Sequence, residues 1–157
     1  MKYSEHITLN PGTIFFKKVL VLDVLNNLVG DAVLRLISRD FGILPKYDAG
    51  LDEEYSYIYA DLNLSFKCRF RLAEVLEVVG YRPRNHTTYG TSHHMPTNAI
   101  LLSSFDKKFV YEVGKTVTPG GFDESPVACS NGIHGFLRYK DAEDYILWVS
   151  NNIIIYF

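Results

Sequence analysis

The chain of 157 residues holds two cysteines, one tryptophan and two methionines, and has no large excess of either charge. Each scarcity excludes something. Two cysteines, Cys68 and Cys129, cannot build a disulfide framework. The opening MKYSEHITL carries no apolar stretch like a secretory signal, so a reducing cytoplasm is the expected setting. The longest apolar runs, 19–22 and 153–157, are far too short to span a bilayer, which argues against membrane embedding. Sixteen Lys and Arg against 18 Asp and Glu leave a net charge of -2, so no global field draws the chain to bulk nucleic acid or to anionic lipid. Any anion site has to be local. A Walker A loop, a GxGxxG fingerprint, a nucleophile elbow and HExxH are all missing, which leaves most familiar catalytic classes without support.

What is present is apolar and aromatic. Hydrophobic residues make up 47% and aromatics 14%, with 11 Tyr and 10 Phe, a composition that folds around an aromatic-rich core. The length suits one domain over 1–157.

Residues 13–22 are β-branched and aromatic and follow Pro11-Gly12, which reads as a strand. Asp23 then suits a helix cap. Leu25, Leu28, Val29, Ala32, Val33, Leu36 and Ile37 recur at spacings of three and four, predicting an amphipathic helix that ends at Gly42, with Pro45 preventing a restart. A polar loop is expected over 46–54. From 58 to 70 the chain alternates strictly. Ile58, Ala60, Leu62, Leu64, Phe66, Cys68 and Phe70 fall on one face of a sheet and Tyr59, Asp61, Asn63, Ser65, Lys67 and Arg69 on a wet one, the run being long enough for a bulged strand or for two strands turning near 61–63.

Leu72, Val75, Leu76 and Val79 predict a second, short helix capped by Gly80. The stretch 81–98 has no apolar period and reads as a long exposed loop, a place where function often sits. Strands are expected at 99–103 and 109–113, with a hairpin around 105–107, a turn at 119–121 and another strand at 133–139. Ala142, Tyr145, Ile146 and Val149 mark a third helix, and 150–152 turns into a last strand at 153–157. The expected class is α+β, a single domain of mainly antiparallel sheet with about three helices.

Residues from about 105 to 147 contain FVYEVGKTVTP, FDES and CSNGIHGFLRYKDAEDY. This stretch resembles an uncharacterised domain found alone or after pentapeptide repeats in bacteria, phages and large DNA viruses. There a Cys-x-x-Gly-Ile-His-aromatic signature precedes a helix with Ala-x-x-Tyr. The matching positions are Cys129, Gly132, Ile133, His134, Ala142 and Tyr145, and Gly135 stands where the aromatic would be. The resemblance implies a module over about 105–157 and a viral or bacterial origin, and it carries no reaction.

Three constellations are candidates for chemistry. Cys129 and His134 are metal-ligand types, but a structural zinc needs four ligands. Their expected roles are a buried small hydrophobe and a ring pinning the Asn131-Gly132 turn, with neither metal nor cofactor expected. The tetrads His6-Ile7-Thr8-Leu9 and His86-Thr87-Thr88-Tyr89 look like the paired motifs of two-histidine phosphoesterases, with His6 and His86 as acid and base and Thr8 and Thr88 holding phosphate. Lastly, Lys67, Arg69 and Arg71, with Arg82, Arg84 and His86, can form an anion site on which Tyr89, Tyr57 or Tyr59 stacks a base. The same residues also suit a plain solvated strand face. The reading taken forward is a non-enzymatic binding protein, phage-encoded in origin, that holds or sequesters a small anionic ligand such as a nucleotide or cyclic nucleotide signal. A homo-oligomer stays open. The alternatives are a phosphodiester-cleaving two-histidine enzyme and a protein-interaction or virion-associated module.

Overall fold

A computed structural model of the chain describes residues 6–45, 67–90, 93–103, 109–118 and 132–145. The polar loop at 46–54, most of the alternating run, the hairpin tip at 105–107, the turn at 119–121, Cys129 and everything after residue 145 lie outside them.

The strands are β1 (His6–Leu9), β2 (Ile14–Leu22), β3 (Leu28–Ser38), β4 (Gly42–Pro45), β5 (Cys68–Phe70), β6 (Ala73–Pro83), β7 (Ile100–Leu102), β8 (Val110–Tyr111), β9 (Thr116–Val117) and β10 (Ile133–Gly135). One helix, α1 (Tyr139–Asp144), follows. All pairing is antiparallel, in a six-stranded sheet ordered β8-β7-β2-β3-β6-β9 and a four-stranded one ordered β1-β4-β5-β10. Of the described residues, 54% are strand and 6% helix, so the α+β expectation with about three helices is corrected to a mainly antiparallel β architecture with one short helix.

Two of the expected helices are strands, for different reasons. β3 is buried on both faces through its middle: Ala32, Leu34 and Leu36 point into the shared core while Val33 and Asp31 point the other way. Apolar residues on both faces erase the two-residue period and leave spacings of three and four. In β6 the register slips twice, leaving Leu76 and Val79 without partners opposite β3. These bulges put Ala73, Val75, Val78 and Tyr81 on the core side, and their spacing of two, three and three imitates a helix. Asp23 does accept N–H bonds, but from Leu25 and Asn27, both at 2.9 Å, in the β2–β3 hairpin turn. Gly42 lies in β4 rather than after a helix. α1 ends at Asp144 and so covers only the start of the expected third helix, whose remainder lies outside the described residues.

The strand over 13–22 is observed as β2. The hairpin of β7 and β8 matches the expected strand pair. The loop expected from residue 81 begins only at Arg84, because Tyr81 and Arg82 are buried inside β6.

The sheets share one core, in which Phe15, Val19 and Val21 of β2 meet Cys68 and Phe70 of β5 and Ile133 of β10. Phe15 and Phe70 stack at 4.1 Å. Phe16 and Phe136 form an antiparallel bridge with two backbone hydrogen bonds of 2.7 and 2.8 Å, joining β2 to the chain just after β10. Two glycines permit this junction. Gly132 takes φ 142°, which L side chains rarely adopt. A Cβ on Gly135 would lie 2.7 Å from the Phe16 carbonyl and against the Phe15 ring. Among the described residues no helix is long and apolar enough to cross a membrane.

Candidate functional site

The bridge between Phe16 and Phe136 carries one polar face across both sheets. On β2, alternation sends Phe15 and Val19 into the core and turns Phe16, Lys18 and Leu20 outward. Leu20 is opposite Asp31 on β3, and Asp31 is opposite Arg82 on β6. On the other sheet Cys68 and Phe70 fill the core, so Arg69 turns outward beside its register partner His134. α1 packs over β2 and β3, with Tyr139 edge-on to Phe16 at 6.0 Å.

This covered face is rich in cations. Lys18 is 3% exposed, and its ammonium donates 2.7 Å to the Tyr145 carbonyl at the end of α1. Lys67, half-buried just before β5, donates 2.6 Å to the Tyr145 hydroxyl and lies 4.4 Å from the centre of that ring. Lys18 and Arg82 sit over the Tyr89 ring at 5.2 and 4.6 Å. Burial pulls the Lys18 pKa down to about 8; Asp31 pulls upward, Arg82 lowers it further, and Asp144 and Glu143 of α1 also raise it.

Asp31, wholly buried, accepts a 2.9 Å hydrogen bond from Arg82 through Oδ2. Its Oδ1 and the Tyr89 hydroxyl are both buried, and neither completes a hydrogen bond of ordinary geometry. Burial, then the Asp31 charge, hold the Tyr89 phenol far above its usual range. It stays neutral.

Neighbouring groups are less apt. Lys17 points to the core side and donates 3.1 Å to the His134 carbonyl. Burial, then the charge of Lys67, bring its pKa down to about 7. Burial pushes the Cys68 thiol up to about 12, and its Sγ–H donates 3.1 Å to the Gly135 carbonyl, so it is no nucleophile at neutral pH. An open cleft of about 220 Å³ lies at the bulged stretch of β6 and is rimmed by His93 and His94.

Of the anion-site residues named from sequence, Lys67, Arg69, Arg82 and Tyr89 fall on or against this one face. Arg69, expected on a wet face, is 1% exposed. Arg71 is half-buried beyond β5, while Arg84 and His86 are exposed in the turn after β6. The phosphoesterase tetrads are apart in the fold: His6 and Thr8 are on β1 at the edge of the four-stranded sheet, and His86 and Thr88 are in the loop after β6 of the other. Among the described residues no group of three or more His, Cys, Asp or Glu is placed to hold a metal.

Sequence reading missed Lys18, Asp31 and the part played by Tyr145. A usable signal was there, because Lys18 and Asp31 each interrupt an apolar strand, which a buried charge does only with partners.

No curated protein and no solved structure matches the chain. Residues 60–142, spanning β5, β6, Tyr89, β10 and the first turn of α1, match a family of unknown function (DUF5758). That match covers more than half of the 157 residues, and the chain belongs to this family.

Proposed function

We propose that the protein is a non-enzymatic binding module that holds a small anionic, nucleotide-like ligand on the cationic face beneath α1. One observation carries the reading. Lys18 from the six-stranded sheet and Lys67 from beside the four-stranded one converge on a single residue, Tyr145. Each ammonium has three donors and spends one there, which leaves donors for phosphate or carboxylate oxygens. Tyr89, clasped by Lys18 and Arg82, offers a ring for stacking.

Three residues that the sequence resemblance singled out support the same reading. His134 is paired with Arg69, Ala142 is the buried residue of α1, and Tyr145 receives both lysines. The phosphoesterase alternative draws no support from tetrads carried by separate sheets. Incubating the protein with mononucleotides and cyclic dinucleotides, removing unbound ligand and releasing the remainder by heat separates the two. Intact nucleotide means binding; a cleaved phosphodiester means catalysis and ends this proposal.

A further inference from the structure

The chain between β6 and β7 gathers metal-ligand types at the open cleft. The rings of His86 and His93 stand with their centroids 5.1 Å apart and their planes at 74°. Two imidazoles that share one ion through nitrogens at about 2.0–2.1 Å have centroids about 5 Å apart at a tetrahedral angle, so this separation already suits co-ligands. His93 also lines the cleft together with Met95. Among the described residues the side chains of His86 and His93 make no hydrogen bond, and a neutral imidazole offers one ring nitrogen with a lone pair to an ion.

Backbone holds both sides of this group. The Arg84 N–H donates 2.7 Å to the Val29 carbonyl and the His86 N–H donates 3.0 Å to the Pro83 carbonyl, with Asn85 at φ 74° between them, so the turn carrying His86 is pinned to β3. Met95 packs against the core, and the next residue, Pro96, accepts 3.2 Å from the Ala99 N–H on the way into β7. Ligands placed in this way need less ordering when an ion binds.

The donor set also chooses the ion. Zinc takes four ligands in a structural site, and among the described residues no third His, Cys, Asp or Glu joins these two rings. The third group at hand is the Met95 thioether, a soft ligand that selects Cu(I), an ion content with fewer ligands than zinc. We propose that His86, His93 and Met95 form a binding site for monovalent copper at this cleft, with two imidazoles and one thioether as its ligands. The site stands apart from the anion-binding reading, whose lysines and Tyr145 it does not use.

The test uses the full chain with Cu(I), kept reduced by ascorbate, in competition with a coloured Cu(I) chelator. One ion per chain is expected. His93→Ala and Met95→Leu, the second of which keeps a side chain of similar size against the core, should each weaken Cu(I) binding about tenfold or more, at least the loss that outer partners of a metal site cause. X-ray absorption at the copper edge should show sulfur as well as nitrogen neighbours. Cys129→Ser should bind as wild type does; binding lost there assigns the copper to a thiol and overturns the site. No copper withdrawn from the chelator, or wild-type affinity in folded His93→Ala, overturns it as well. Nitrogen neighbours alone, wild-type affinity in Met95→Leu, or tighter binding of Zn(II) than of Cu(I) removes the thioether and with it the choice of copper.

Discussion

Lys18 on β2 and Lys67 just before β5 donate to the two oxygens of one residue, Tyr145, at 2.7 and 2.6 Å. Helix, β2 and the chain entering β5 are thereby tied at one point. Charges this close under a covering helix leave marks on stability that can be measured.

The first mark is on pH dependence. Lys17 and Lys18 have folded pKa values of about 7 and about 8 against an ordinary 10.5. Between those values the unfolded chain binds more protons than the folded one, so stability rises with pH from about 7 toward 10. Cys68 works in the opposite sense. Its pKa moves from 9.0 to about 12, so above about pH 9 the folded state holds the extra proton and this one contribution falls. Two lysines outweigh one cysteine until their unfolded pKa is approached, so urea midpoints across this range should pass through a maximum at about pH 10. Lys17→Met should flatten the rise, and a wild-type midpoint that falls steadily from pH 7 would contradict these environments.

Asp31 and Arg82 are a buried pair whose loss should be costly when one-sided. Asp31→Asn leaves the guanidinium without its carboxylate and should lose about 3–5 kcal/mol. Replacing both, with Asp31→Leu and Arg82→Met, should recover much of that, because a buried pair often breaks even against apolar packing. Denaturation of the two variants decides it.

Phe15 and Phe70 are both fully buried and stacked at 4.1 Å across the two sheets. Phe70→Ala should cost about 3–5 kcal/mol, and the double alanine variant less than the sum of the singles, since each loses the same partner. Additive losses would mean the two rings do not rest on one another.

Gly135→Ala tests the junction of β2 with β10. The added methyl meets the Phe16 carbonyl and the Phe15 ring, and backbone on one side cannot move aside as a side chain would. A loss of about 1–3 kcal/mol is expected by thermal melting. A neutral result would place that junction elsewhere.

How far the sequence reached is clear from particular stretches. β2 was legible because Pro11-Gly12 bounds a β-branched run, and β7 with β8 because each is short and apolar. β3 was not, since Val33 and Ile37 lie on the face opposite Leu34 and Leu36 and together give a helical spacing. β6 was not, since bulges at Leu76 and Val79 changed its period. Of the candidate site, Lys67, Arg69, Arg82 and Tyr89 were named beforehand, because clustered cations and an aromatic are visible in one dimension. Lys18 and the part played by Tyr145 were not, because the two are 127 residues apart and meet only through the sheet junction at Phe16 and Phe136.

The proposed anion site stands or falls on Lys18 and Lys67. Calorimetric titration of wild type, Lys67→Met and Lys18→Met with AMP, each checked for folding by circular dichroism, tests it most directly. One site per chain is predicted, weakened about tenfold or more in each variant, the loss of one charge-assisted contact of roughly 1.5–3 kcal/mol. Wild-type affinity retained in both folded variants would contradict the account, even if the protein binds AMP.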